Sequence, residues 1–398
     1  MNNNELDIIK RGVMEVITEA DLLEKLKKKR KLRIKFGADP TAPDIHLGHS
    51  VVLRKLRQFQ DLGHEVIFII GDFTAVIGDP SGRNVARKPL TENEIKENSK
   101  TYEKQIFRIL DKNKTKLVFN SDWLGEMKFD DVIKLASRYT VARILERDDF
   151  SNRIKSNEPI GLHELIYPLI QGYDSVVLNA DIEVCGTDQI FNCLVARVLQ
   201  NEYGQKPEVI ISLPLLIGID GTQKMSKSYG NYVGITEPAK EMFGKIMSIP
   251  DKLMEMYFEL LTDVSGSEIK RILKEFHPKE AKKLLGRKIV TMYHNESDAN
   301  YAEEEFERVF VRKELPEDIP VAKIKKNELT NGKIWVVKLL VLSGLAKSKN
   351  EANRLIVQKA VIIAGKTIDN PNLDISLQNG TTIKAGKRKF VNIYIDNE

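Results

Sequence analysis

Cysteine is close to absent from this chain. Cys185 and Cys193 are the only two in 398 residues. That excludes a disulfide scaffold and fits a reducing compartment. Long apolar runs are missing too. Those that occur, such as Val66 to Ile70, fall far short of the roughly 20 residues a membrane helix needs. The first residues, Met-Asn-Asn-Asn-Glu-Leu-Asp, have neither the basic nor the apolar part of a secretory signal. There is no internal repeat, no low-complexity stretch and no Ser-His-Asp or Cys-His set to assign. A soluble, cytoplasmic protein with no membrane partner is expected.

What is present is ordinary in amount and informative in placement. A hydrophobic share of 42% supports real cores, and 398 residues suggest two or three domains. The net charge is +5. Residues 334–398 alone hold ten Lys/Arg against five Asp/Glu, a net +5, so the rest is balanced. The basic excess therefore sits in the last sixth of the chain, where an RNA partner would meet it.

Leu32 to Gly37 predicts a strand, and Pro40 and Pro43 punctuate the loop after it. From His46, the residues Leu47, Val51, Val52, Leu53, Leu56, Phe59 and Leu62 recur at helical spacing until Gly63. Glu65 to Gly71 reads as a strand buried on both faces. Strand, helix and strand make a βαβ unit, which implies a parallel sheet. Helices are expected over 91–110, 129–147, 160–174 and 188–202, with strands over 116–119, 182–185 and 209–215. The α/β alternation of a doubly wound, Rossmann-like sheet thus runs to about residue 220. Residues 238–310 read as charged helix without strands. Past the prolines at 316 and 320, two short helices (334–344, 349–358) and two strands (360–363, 390–395) suggest a small α+β module.

Two motifs carry chemistry. His46-Leu47-Gly48-His49 opens a helix after the first strand. A helix N-terminus offers free N–H groups and partial positive charge, which suits phosphate. Gly48 would let a flat base lie against the backbone. Alone, this pattern is as readily a helix cap with a surface histidine. A zinc pair is disfavoured because no third ligand lies near in sequence. Lys224-Met225-Ser226-Lys227-Ser228 sits among Gly218, Gly221 and Gly230. Two lysines on such a loop suit transient pyrophosphate binding, although a Lys/Ser-rich loop is more often merely solvated.

Tyr167, Gln171 and Asp174 stand four and three residues apart, on one helical face. That face offers a hydroxyl, an amide and a carboxylate among apolar neighbours. It is either the polar edge of an amphipathic helix or, beside nucleotide motifs, the wall of a substrate pocket.

Both motifs resemble the HIGH and KMSKS signatures of class I aminoacyl-tRNA synthetases, in order and in separation. The stretches 37–44, 77–82, 167–174 and 186–189 resemble segments of the tyrosyl-tRNA synthetase family. That resemblance implies a tyrosine–tRNA ligase that uses ATP, with Mg²⁺ carried on the nucleotide. It implies Asp79, Tyr167 and Gln171 around the α-ammonium of tyrosine, Asp174 at its phenol, and Gln189 lining the same pocket. Gly186 and Asp188 would face the ribose, and Gly48 the adenine. Thr41, His46 and His49 would meet ATP phosphates, with Asp39 near the reacting groups. Lys224 and Lys227 would meet the leaving pyrophosphate. No residue is expected to bind a metal.

The resemblance also implies three parts: a catalytic domain over 1–232 with an insertion around 80–165, an α-helical anticodon-recognition domain over 233–325, and an RNA-binding module of the S-four type over 334–398. The implied partners are tRNA(Tyr), tyrosine and ATP. A homodimer is implied too, with apolar helices around 125–165 as its interface.

Two departures stand out. Lys35 occupies a position where a subgroup of the family has a tyrosine that bonds the phenol, so Lys35 either points away or changes phenol recognition. Cys185 replaces a common glycine and reads as a small buried residue. Three rivals remain: the tryptophan enzyme, which usually lacks this tail and Asp174; a small-molecule adenylyltransferase, which needs no KMSKS loop; and a synthetase-derived RNA-binding protein.

Overall fold

The computed structural model describes residues 3–28, 30–40, 44–80, 91–312, 314–315, 319–386 and 389–396. The chain divides into two compact units, 1–303 and 304–398.

The first unit is built on a six-stranded sheet. Its strands are β1 (Glu15–Ile17), β2 (Arg33–Ala38), β3 (Glu65–Ile70), β4 (Thr115–Phe119), β5 (Ile182–Gly186) and β6 (Val209–Leu213), in the order β1-β6-β5-β2-β3-β4. All pairs are parallel except β1 with β6. β3 and β6 are near-continuous aliphatic runs because both faces are covered, and Val66 to Ile70 and Val209 to Ile211 are buried. From β2 the chain first builds outward through β3 to β4. It then returns to place β5 on the other side of β2. That reversal opens a crevice at the carboxyl ends of β2 and β5, where doubly wound sheets bind ligands. The expected parallel α/β sheet is therefore present. The edge strand β1 was not expected, since three residues give no readable period.

Three helices frame the crevice. α1 (Leu47–Asp61) follows β2, α2 (Leu162–Leu178) precedes β5, and α3 (Ile190–Glu202) follows it. α1 buries Leu47, Val51, Leu53, Leu56 and Phe59 and ends at Gly63, whose φ of +91° suits glycine. α2 and α3 pack closely at Gly172. A Cβ there would lie 3.1 Å from the Ala196 backbone. The smallest residue thus sets how near Tyr167, Gln171 and Asp174 come to the residues after β5.

The helix expected over 129–147 is broken into Phe129–Ala136, Val141–Ile144 and, further on, Asp148–Lys155. Thr140 is extended and caps a new start by accepting from Arg143 N. A capping side chain overrode an apolar period that runs across the break. Between Ala239 and Phe306 five α-helices (Ala239–Met247, Met254–Leu261, Gly266–Glu275, Pro278–Tyr293, Glu296–Phe306) follow one another with no strand between them. Phe243, Tyr257 and Phe258 are fully buried there.

The second unit has a five-stranded sheet ordered Lys366–Ile368, Val361–Ile363, Thr381–Ala385, Lys389–Asp396, Val321–Lys325, and a ribbon of Lys333–Trp335 with Asp374–Ser376. Helices Val336–Leu342 and Lys349–Val357 pack on a core that includes Val337, Leu340, Ile356 and Val391. Among the described residues, no helix is long and apolar enough to cross a membrane.

Candidate active site

A cavity of about 340 Å³ opens over the carboxyl ends of β2 and β5. Its lining includes Asp39, His46, Gly48, His49, Asp79, Tyr167, Gln171, Asp174, Gly186, Asp188, Gln189 and Lys224. Residues spread over 186 positions of sequence thus meet at one site. Thr41 lies outside the described residues, as do Ser81, Gly82, Lys387 and Arg388. Lys227 is set back from the cavity wall. Its ammonium bonds Asp44 and lies 5.9 Å from the Tyr232 ring centre.

One end of the cavity is the start of α1. His46 is its N-cap. His46 Nδ1 accepts from Gly48 N at 3.2 Å, and His49 Nδ1 accepts from His46 N at 3.3 Å. The two rings stack with centres 3.9 Å apart. An Nδ1 that accepts cannot carry a proton, so each neutral ring keeps its proton on Nε2, on the side away from the cap. Burial pushes His46 down to about 2, helped by His49 and Lys227. The protein packed around His49, together with Lys227, lowers its pKa as well, although the residue is exposed at the cavity. The site therefore holds two neutral N–H donors at a helix N-terminus. Any side chain at Gly48 would strike the His46 ring, since a Cβ would lie 2.9 Å from it. The cap reading and the ligand reading of this motif are compatible: the same geometry serves both.

The loop around 224–228 is tied down more than its glycines suggest. Asn231 donates to Asp220 Oδ2 and to Lys224 O, and accepts from Ser226 N at 2.8 Å. Asp220 also receives Thr222 N and Gln223 N. Lys224 pairs with Asp188 across the mouth at 3.3 Å.

The other end is a chain of polar side chains. Tyr167 donates to Asp39 Oδ2 at 2.9 Å, and Thr74 donates to Asp39 Oδ1 at 2.6 Å. Burial, with Asp39 and Asp79 close by, raises the Tyr167 phenol well above its usual value, so it stays a donor. Gln189 donates to Asp79 at 2.9 Å. Asn192 donates to Gln171 Oε1 and Gln189 Oε1, and Arg147 holds the Asn192 carbonyl. Those bonds fix which way both amides face. Deepest lies Asp174, 3% exposed, whose Oδ1 accepts from Trp123 Nε1 at 2.9 Å. Burial pushes Asp174 up to about 7, while Lys35 and hydrogen bonds from Trp123 and Asn120 pull it back.

Lys35 does not point away. It lines the floor, wholly buried, and pairs with Glu183 at 3.0 Å. Trp123, Asn120, Thr74, Asn192 and Glu183 escaped the sequence reading. Asn192 alone stands at helical spacing from motif residues, three after Gln189 and four after Asp188; the others are revealed by the fold.

This cavity, at the switch point of a doubly wound sheet, has a helix start suited to phosphate at one end and a buried polar pocket at the other. A model of the family "tRNA synthetases class I (W and Y)" matches residues 27–311, and one of the S4 domain matches 334–378. The chain belongs to this class I synthetase family. It is 54% identical to the tyrosine–tRNA ligase of Aquifex aeolicus over 98% of both chains. It is 50% identical to that of Haemophilus influenzae over 99% of this chain and 98% of the relative. A tyrosyl-tRNA synthetase from Archaeoglobus fulgidus, solved with L-tyrosine, superposes with a TM-score of 0.62 at 26% identity, covering 75% of this chain and 98% of that one.

The histidine pair predicts a pH dependence. Both folded pKa values lie below the unfolded value near 6.5, so the unfolded chain binds more protons between pH 6.5 and 4. Stability is full above 6.5 and falls on acidification, by at most about 1.4 kcal/mol per pH unit for buried His46 and by less for His49, whose exposure screens it. A His46→Asn/His49→Gln variant should lose less thermal midpoint than wild type between pH 7 and 5. Equal losses would contradict the neutral pair.

Proposed function

We infer that the chain acts as an ATP-dependent tyrosine–tRNA ligase of the cytoplasm. It joins tyrosine to ATP as tyrosyl-adenylate with release of pyrophosphate, then passes tyrosine to the 3′ end of tRNA(Tyr). The observation that carries this reading is the pairing, within one cavity, of a buried carboxylate at Asp174 with the neutral His46–His49 helix start. The curated relatives are tyrosine ligases over nearly their whole length.

Asp174 accepts from the phenol of tyrosine alongside its hydrogen bonds from Trp123 and Asn120. Asp79, Tyr167 and Gln171 take the α-ammonium, with Gln189 holding Asp79 in place. Adenine lies over Gly48, and the ribose faces Gly186 and Asp188. His46, His49 and Thr41 meet the phosphates, and Asp39 keeps Tyr167 oriented. Lys224 and Lys227 leave their partners Asp188 and Asp44 for the pyrophosphate. Mg²⁺ comes with ATP as part of the substrate, held by phosphate oxygens and water.

The tyrosine carboxylate attacks the α-phosphorus, and the bond to the bridging oxygen of pyrophosphate breaks. A terminal ribose hydroxyl of tRNA then attacks the carbonyl, and AMP leaves. No side chain forms a covalent bond. The protein contributes placement and stabilisation of developing phosphate charge.

ATP–pyrophosphate exchange measured with each amino acid should depend on tyrosine alone; exchange with tryptophan, or with none, would overturn the assignment. Asp174→Asn should lose tyrosine adenylation far more than phenylalanine adenylation, because only the phenol needs the acceptor. Equal losses would make Asp174 structural.

The segment 233–325, helical in its described part up to Val311 and ending in the strand Val321–Lys325, reads as the anticodon contact. The module over 334–398 presents exposed Lys349, Arg354, Lys359 and Lys366 as a phosphate-binding face. Charge reversal at Lys349 and Arg354 should lower the tRNA charging rate about tenfold or more and spare exchange. Unchanged charging would remove this face from the account.

A homodimer through the 125–165 region is supported by Phe129, Ile133, Val141 and Leu162, large apolar residues exposed by 54 to 81%. Light scattering should give twice the 45.3 kDa chain mass. A monomer at micromolar concentration would refute it.

A further inference from the structure

Lys35 carries charge into the deepest part of the first unit. It sits on β2 opposite Glu183 on β5 and is 0% exposed. An ammonium has three hydrogens to donate. Here Ser175 Oγ takes one at 2.6 Å, Gln171 O takes one at 3.3 Å, and Glu183 Oε1 answers the charge at 3.0 Å.

The cluster extends one step further. Ser175 donates to Glu208 Oε1 at 3.0 Å, and Glu208 is wholly buried. As bare carboxylates Glu183 Oε2 and Glu208 Oε2 would face each other with no donor between them; a proton on Glu208 lets the two carboxyls hydrogen-bond. Two carboxylates out of water beside one cation cannot both ionise. Burial and the neighbouring Glu183 push Glu208 well up, so Glu208 keeps its proton. Burial works against the charge on Lys35, yet Glu183 first, with Asp174, holds its pKa above the usual lysine value. The cluster is then one cation, one anion, one acid and one hydroxyl.

Such a cluster is costly to bury, and an apolar set of similar volume is often as stable. Its position suggests what it does. The two α2 groups that Lys35 grips, Gln171 O and Ser175 Oγ, stand three residues before Asp174 and one after it. Lys35 and Glu183 both line the floor of the same cavity as Asp174. The charged and titratable groups around Asp174 are Lys35 on β2, Glu183 on β5, Glu208 before β6, and Tyr167 on α2 itself. Of these, only Lys35 is a cation.

We propose that Lys35 is a positioning residue for amino-acid selection. It fixes the turn of α2 that carries Asp174 and supplies the countercharge that keeps Asp174 an ionised acceptor for the substrate's phenol. The proposal rests on the assignment of Asp174 to the phenol.

The test is tyrosine-dependent exchange between pH 5.5 and 9 in the full-length protein. The variants are Lys35→Met, Lys35→Met/Glu183→Gln and Glu183→Gln. Lys35→Met alone leaves Glu183 buried and unpaired, so the double variant, neutral at both positions, is the better-folded probe. It should raise the KM for tyrosine about tenfold with kcat within about threefold, and move the acid limb of kcat/KM up by about one pH unit. Glu183→Gln removes a negative neighbour and should move that limb down. A folded double variant with wild-type KM and an unmoved limb overturns the proposal. So does a limb that fails to move down in Glu183→Gln, which is the deciding result if the double variant does not fold. Asp174→Asn separates the two readings: unchanged tyrosine-to-phenylalanine preference defeats the Asp174 assignment itself, whereas lost preference with an inert double variant defeats only the role of Lys35.

Discussion

An ammonium buried away from water has to find an acceptor for each of its hydrogens, and a cation there has to find an anion. Lys35 finds acceptors on α2 and an anion on β5, the two elements that carry the substrate pocket. That requirement ties β2, α2 and β5 into one arrangement. The crevice at the switch point is consequently held by polar bonds on its floor and by close helix packing at Gly172 on its flank. Asp174 is carried by the gripped turn. Its neighbours Trp123 and Asn120 arrive from the segment after β4, so the pocket is closed from both halves of the sheet.

The two ends of the cavity use charge in opposite ways. At the start of α1, the burial of His46 and a reciprocal cap keep the two histidines neutral, as oriented N–H donors in a helix field. At the floor, carboxylates gather around a single lysine. In the proposed reaction, positive charge for phosphate is left to Lys224 and Lys227, which here pair with Asp188 and Asp44. A site that runs by placing two reactants has no use for a nucleophile, which is why none could be assigned from sequence.

Much of the frame was legible because it is written in short periods. The β2–α1–β3 unit, the aliphatic strands β3 and β6, and the face of α2 bearing Tyr167, Gln171 and Asp174 all follow local spacing. What was not legible depends on distant residues meeting. Asn192 orients two glutamines from separate elements, Trp123 reaches Asp174 across 51 positions, and Glu183 answers Lys35 across the sheet. The break at Thr140 was hidden because apolar spacing continued through it. The short strands of the second unit, three to eight residues long, were only partly visible for want of length. Lys35 shows the limit most clearly: its sequence position raised the question of phenol recognition, and only its three partners show how the charge is accommodated.

The account turns on one cavity receiving tyrosine at Asp174 and ATP at the His46–His49 end. A crystal structure with a non-hydrolysable tyrosyl-adenylate analogue measures this directly. The expected result is the phenol oxygen within hydrogen-bond distance of Asp174, the adenine over Gly48, and Lys35 still bonded to Ser175 and Glu183. A phenol bonded to the Lys35 ammonium, or an aromatic ring lying at the His46 end, would contradict it.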